Sequence, residues 1–272
     1  MKYALGNMLG GGMIGGLDAS AKAYINTIVS AGATVTSTQR DAINTFYKSA
    51  KTDGYYNQVK RLYLPIWSVA SPNAVDMISA TSGTFSGTLT HGAGFVQGNG
   101  STGRFLMNAS PNGVGMVAGS SSTFVLTKSA QASGFNAPIN STPTGLKGNG
   151  FAFTGITTTT YYEGRTSGFN VTANPNGIII SSEIAADSRY LRRRTTSGVT
   201  ALNTNTDNIT GSFATFNMSV MAGQSANNSF FGYSTGEYGA YGIGLALTTT
   251  QADAFTAALK TLWETCTGLT LP

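Results

Sequence analysis

The chain has 272 residues, of which 41% are hydrophobic and 10% charged, with 35 glycines, one histidine and one cysteine. That length and apolar content suit one large domain with an appendage, or two modest domains, and they exclude disorder driven by low hydrophobicity and high charge. The net charge of +5 rests on few charged side chains, which argues against a nucleic-acid surface; scarce acids, bases, nucleophiles and metal ligands predict a protein that builds or binds and is not an enzyme.

Residues 1–17 read as a Gly-rich arm. Met8, Leu9, Met13 and Ile14 are set among glycines. The stretch lacks the continuous apolar segment and cleavage site of a secretory signal, and no segment of the chain is long enough to span a membrane. Two readings stand: a disordered tail, or an arm that orders when those four side chains dock in a groove on another subunit.

Residues 18–63 are predicted helical. Tyr24, Ile25 and Ile28 recur at helical spacing after Asp18, a fitting N-cap, and Gly32 stops that helix. Thr36 and Gln39 have capping-box spacing before a second helix, which carries Ile43, Phe46, Tyr47 and Ala50 on one face and ends near Asp53-Gly54. The spacing of Val59 and Leu62 predicts a short third helix over 55–62, closed by Pro65.

From residue 64 the period changes to two, with frequent Gly, Asn and Pro turns. Phe216, Met218 and Val220 alternate with smaller or polar neighbours, as do Tyr241, Ile243, Leu245 and Leu247. The apolar run from Gly177 to Glu183 suits a central strand. Arg189, Arg192, Arg193 and Arg194 form the one dense basic run, in a strand that enters a Gly turn at Gly198. A solvated hairpin arm is the simplest reading of that run, and a contact for an acidic partner or anionic glycan is the sharper one. A second capping box, Thr248 to Gln251, opens a closing helix over about 249–266, striped by Ala254, Phe255, Ala258, Leu259, Leu262 and Cys266 and ended at Gly268. Its small neighbours in the preceding strand, Gly242, Gly244 and Ala246, are expected to admit this helix. Many short strands with regular turns predict a mainly β protein, an antiparallel sandwich or jelly roll over 64–272 with a small N-terminal helical region and a C-terminal helix.

The run from Ala23 to Phe46 and its continuation from Lys51 to Pro65 resemble the helical opening of tailed-bacteriophage virion proteins that carry a concanavalin A-like (laminin-G-like) jelly roll. Gly94 to Gly103 is similar to an early turn of that domain, and Gly242 to Phe255 to its last strand and closing helix. The resemblance implies a structural protein of the virion surface, in tail, fibre or capsid decoration. It implies other virion proteins as partners, a homo-oligomer, and in the alternative a receptor-binding module for a host surface glycan. It carries no catalytic signature.

Related jelly rolls include glycoside hydrolases, which makes paired carboxylates the feature to seek. Asp76, Glu163, Glu183, Asp187, Asp207 and Glu237 form no closely spaced acidic triplet, and Glu183 and Asp187 straddle a predicted turn. A glycan-cleaving enzyme is the remote alternative. His91 reads as a turn histidine, and with Cys266 it cannot supply a zinc set; Asp207-Asn208 is the only local hint of calcium. Gly98 to Gly103 lacks the Lys-Ser/Thr of a phosphate loop, so no cofactor is implied. Sugar-stacking candidates are the loop aromatics Tyr161, Tyr162, Phe230, Phe231, Tyr233 and Tyr238, with core or interface packing as their competing use.

Overall fold

The computed structural model describes residues 16–131, 135–141, 149–154, 158–163, 169–206, 213–225 and 229–272. In chain order the elements are α1 (Ala19–Ser30), α2 (Ser37–Thr52), β1 (Val59–Tyr63), α3 (Ala70–Asn73), β2 (Thr84–Ser86), β3 (Leu89–Gly92), β4 (Phe95–Gly98), β5 (Arg104–Leu106), β6 (Ser121–Ser129), β7 (Phe135–Ser141), β8 (Asn149–Thr154) and β9 (Thr158–Glu163). There follow β10 (Phe169–Thr172), β11 (Gly177–Ala185), β12 (Ser188–Thr195), β13 (Gly198–Asn205), β14 (Ser219–Val220), β15 (Gly223–Gln224), β16 (Phe230–Phe231), β17 (Glu237–Gly244) and α4 (Thr249–Thr267).

The strands form an eight-stranded antiparallel sheet, ordered β13-β12-β11-β6-β17-β4-β3 with β1 also on β17, and a seven-stranded sheet ordered β10-β9-β8-β7-β14-β5-β2. Period-two alternation places each neighbour on the opposite face. In β6, Phe124 and Leu126 join the core under the helices, while Val125 joins the core between the sheets. Ile178 and Ile180 of β11 split from Ile179 in the same way. Both faces of this sheet are therefore buried, which is why 177–183 reads as a continuous apolar run. Phe105, Ile139, Phe151 and Val220 close the inter-sheet core from the seven-stranded side. The result is three layers: helices, a doubly covered sheet, and a second sheet whose far face is turned outward.

Asp18 caps α1 through Ser20 N–H at 2.9 Å, and the Thr36–Gln39 and Thr248–Gln251 capping boxes are both formed. The two glutamines do more than cap. Gln39 Nε2 donates to the Cys266 carbonyl at 3.0 Å, and Gln251 Nε2 donates to the Gly54 carbonyl at 3.1 Å. Each capping box thus reaches the C-terminal end of the other helix, which sets α2 and α4 antiparallel and side by side. Phe255 of α4 anchors the pair against the sheet, with its ring 4.7 Å from that of Phe124.

Three expectations are corrected. Residues 55–62 do not form a third helix: Val59–Tyr63 is a strand paired with Tyr241–Gly244 of β17. The spacing of Val59 and Leu62 was ambiguous, and the open edge of β17 decides for a strand, with Leu62 facing the helices and Tyr63 the inter-sheet core. Gly242 and Gly244 admit β1 rather than α4, since a Cβ on them would lie 2.1 Å from the Arg61 carbonyl oxygen and 2.3 Å from that of Gln58. Gly239 is the residue that admits α4, beneath the Trp263 indole. Lastly, the arginine run is not a solvated arm. Arg192 pairs with Asp253 at 2.7 Å, and Arg194 binds Thr256 Oγ1 and the Asp253 carbonyl, both at 2.9 Å. Arg189 is buried opposite Glu183. Two of the four arginines therefore fasten α4 to β12.

Candidate functional site

The outward face of the seven-stranded sheet carries an aromatic and cationic patch. Phe105 of β5 is fully buried between the sheets, so Arg104 and Leu106 stand on the other face. The Arg104 guanidinium lies over the Phe230 ring, 4.1 Å from its centroid. Arg104 has no carboxylate partner among the described residues, and its Nε is buried without a hydrogen-bond acceptor. Phe230 and Phe231 form β16, paired with Gln224 and Gly223 of β15. The Phe231 ring lies across Gly223, where a Cβ would come within 2.6 Å of it. Only glycine lets the ring settle there. Phe231 remains 38% exposed and is the single aromatic among the described exposed large apolar side chains. The patch thus offers a cation set over one ring, with the ring of the next residue in the same strand partly open to solvent. Such a surface can pair a carboxylate with the guanidinium fork and stack an apolar sugar face on the ring.

Of the six aromatic candidates, Phe230 and Phe231 form β16, the first under Arg104 and the second partly exposed, and Tyr233 is half-buried. Tyr238 is a correction. It is fully buried in the inter-sheet core, bonded to Ser234 Oγ, with its phenol pushed well above the ordinary range by burial. It sits on β17 at the same inward parity as the core residue Tyr241, shifted by a bulge. Tyr161 and Tyr162 lie on β9, opposite Phe151 and Gly150 of β8, and their side chains fall outside the described residues, as do Met8, Leu9, Met13 and Ile14. Sequence reasoning missed Arg104. Its signal was a lone charge alternating with Phe105 straight after a Gly-rich turn, and the denser run at 189–194 overshadowed it.

Glu183 is buried and accepts from Gly119 N–H at 2.8 Å and Ser121 Oγ–H at 3.2 Å, whereas Asp187 is exposed in the turn between β11 and β12. Asp76 is fully buried and accepts from the N–H groups of Leu62, Ile78 and Ser79 at 2.8, 3.1 and 3.1 Å. Burial raises its pKa, against those bonds and the Arg61 charge. His91 lies on β3 with Nδ1 3.0 Å from Asn73 Nδ2 and its ring edge-on to Phe85. Burial lowers its pKa, and because the Asn73 amide nitrogen can only donate, Nδ1 is the acceptor of that bond. Burial pushes the Cys266 thiol up to about 12.

No protein-family model matches the chain, and no curated protein matches it in sequence. Solved structures do. A Trypanosoma rangeli sialidase in complex with 2,3-difluorosialic acid superposes with a TM-score of 0.53 at 7% identity, over 82% of this chain and 39% of that one. The CBM40 of a Ruminococcus gnavus IT-sialidase gives 0.39 at 8% identity, over 51% of this chain and 83% of that one. A protein of unknown function from Shewanella oneidensis MR-1 gives 0.39 at 12% identity, over 69% and 86%. The chain therefore spans about two fifths of the T. rangeli sialidase. At such identity the likeness establishes the fold, an antiparallel concanavalin A-like β-sandwich with helices at both ends. It also overturns the exclusion of enzymes drawn from composition: a sialidase carries this fold, so few histidines and acids give no ground for ruling out catalysis.

Proposed function

We propose that the chain is a glycan-recognition module displayed on the surface of a bacteriophage particle, and that the patch of Arg104, Phe230 and Phe231 binds an acidic sugar. The observation that carries this reading is the Arg104–Phe230 cation–π contact, a guanidinium without a carboxylate partner among the described residues, in a strand whose next ring is partly exposed. Contact with Phe230 restrains the guanidinium and lowers the entropy lost when it pairs with a carboxylate. Phe231 supplies a flat apolar surface for the sugar's C–H face. The sialidase that shares the fold is itself in complex with an acidic sugar analogue. The virion setting is supported by the resemblance of 23–46 and 51–65 to phage virion proteins, with other virion proteins and further copies of this chain as its neighbours.

The test is a glycan array probed with the full chain and with Phe231→Ala. The proposal expects binding to glycans that end in a carboxylate sugar, with weak or no signal from their neutral counterparts, and loss of signal in the variant. Equal binding by the variant, or binding confined to neutral glycans, would refute it.

A further inference from the structure

Four Asn-Gly pairs occur in the chain, at Asn99, Asn112, Asn149 and Asn176. In such a pair the glycine nitrogen can attack the asparagine side-chain carbonyl, because no side chain shields it. The side chain of Asn149 falls outside the described residues, and the other three differ in their surroundings. At Asn112 the nucleophile is engaged, since Gly113 N–H donates to Ser110 Oγ at 3.0 Å. At Asn176 the side-chain oxygen accepts from Ala130 N–H at 2.8 Å, and Gly177 is fixed in β11 opposite Thr127. Asn99 is exposed in the turn between β4 and β5. Its Oδ1 accepts from three backbone N–H groups, those of Ser101, Thr102 and Gly103, at 3.1, 2.8 and 2.9 Å. Gly100, at φ +76°, has no acceptor for its N–H among the described residues.

We propose that Asn99 is a self-modifying site, which the turn around it converts to aspartate. The bond from Ser101 N–H closes a small ring that contains both Asn99 Cγ and the Gly100 nitrogen, so the reacting atoms are held near each other. As the Gly100 nitrogen bonds to Cγ and gives its proton to solvent, negative charge develops on Oδ1. The three N–H groups already stand at oxyanion-hole distances from that atom. They bind a charged oxygen about twice as strongly as a neutral amide oxygen, so they favour the intermediate over the starting state. Asn99 Nδ2 donates to Thr102 Oγ1 at 2.9 Å. That hydroxyl can turn to pass a proton from solvent to Nδ2 as the Cγ–Nδ2 bond breaks and ammonia leaves. The cyclic imide then takes up one water. Attack at Cγ keeps the ordinary peptide bond and gives aspartate, whereas attack at the Asn99 backbone carbonyl carbon gives isoaspartate. The three donors polarise the Cγ carbonyl, so aspartate is favoured, and its carboxylate keeps their bonds with charge assistance. The sum is asparagine plus water giving aspartate plus ammonia, with no oxidant, reductant or cofactor. The new carboxylate lies in the turn that leads straight into Arg104.

The test is ageing of the full native chain in mildly alkaline buffer. Peptide mapping by mass spectrometry follows each site, and an isoaspartyl methyltransferase assay separates isoaspartate from aspartate. Asn99 should convert about tenfold or more faster than Asn112 and Asn176, and chiefly to aspartate. In urea, which dissolves the turn, the three sites should converge in rate and isoaspartate should lead at each. A native Asn99 no faster than the other two overturns the proposal. So does isoaspartate as its main native product, or a lead over the other two that persists in urea.

Discussion

Replacing Gln39 separates two jobs that one side chain performs. Its Oε1 accepts from Thr36 N–H at 3.0 Å within the capping box, and its Nε2 donates to the Cys266 carbonyl across the helix pair. Gln39→Ala removes both bonds, at about 0.5–1 kcal/mol each for partly exposed groups, for a loss of about 1–2 kcal/mol. Gln39→Glu keeps the acceptor and loses the donor. Its new charge favours the N-terminus of α2 and disfavours the C-terminus of α4 by similar amounts of about 0.3–1 kcal/mol. The net loss is then about 1 kcal/mol, the cross-helix bond alone. Gln251, at the far end of α4, makes the same pair of bonds with Thr248 and Gly54. The two sites are about 24 Å apart along α2, so losses in Gln39→Ala/Gln251→Ala should add within about 0.5 kcal/mol. Urea unfolding followed by far-ultraviolet circular dichroism reads each variant as a shift in midpoint at constant slope. If Gln39→Glu proves as stable as the parent, the bond to Cys266 contributes nothing and the account of how α2 and α4 are paired is wrong.

Gly242→Ala should cost several kcal/mol and release β1 from β17, because its Cβ would lie 2.1 Å from the Arg61 carbonyl oxygen; hydrogen exchange along 59–63 is the readout. For Asp76, folding raises the carboxyl pKa, so the charged form is the disfavoured one. Its contribution to stability therefore grows as pH falls through the folded pKa toward the ordinary carboxylate range. Asp76→Asn keeps fewer acceptors for the N–H groups of Leu62, Ile78 and Ser79 and the Ser79 hydroxyl and does not titrate, so its stability deficit against the parent should widen from pH 7 to about 4 in paired urea titrations. Cys266 should resist thiol reagents at neutral pH in the native protein and react at once in denaturant, a contrast visible by mass spectrometry. Phe231→Ala should leave the unfolding midpoint within about 0.5 kcal/mol of the parent, since the ring is partly exposed and off both cores.

The elements that carry their own chemistry were legible. Asp18, Thr36 with Gln39 and Thr248 with Gln251 mark helix starts by side-chain hydrogen bonds that are local in sequence. The apolar run at 177–183 pointed to a central strand for the same local reason. What stayed hidden depends on distant partners. Val59–Tyr63 has a spacing that fits either period, and β17, some 180 residues away, decides it. Arg192 and Arg194 look like a solvated run until α4 is laid across them. The site divides along the same line. Phe230 and Phe231 stood out as adjacent loop aromatics, while Arg104 joins them only because β5 and β16 meet over the outer sheet face. Tyr238 misled because adjacency to a Gly-rich loop does not reveal which face of a strand is covered.

The measurement closest to the central claim is isothermal titration of one oligosaccharide in two forms, one ending in a carboxylate sugar and one with that carboxylate reduced to an alcohol. A charge-assisted bidentate contact contributes about 1.5–3 kcal/mol, so the parent should bind the acid form about 10- to 100-fold more tightly than the alcohol. Arg104→Gln should lose that preference and bind both forms with similarly weak affinity, while Arg192→Gln, on the far side of the eight-stranded sheet, should keep it. An unchanged preference in Arg104→Gln, or no preference in the parent, would contradict the assignment of the patch as an acidic-sugar site.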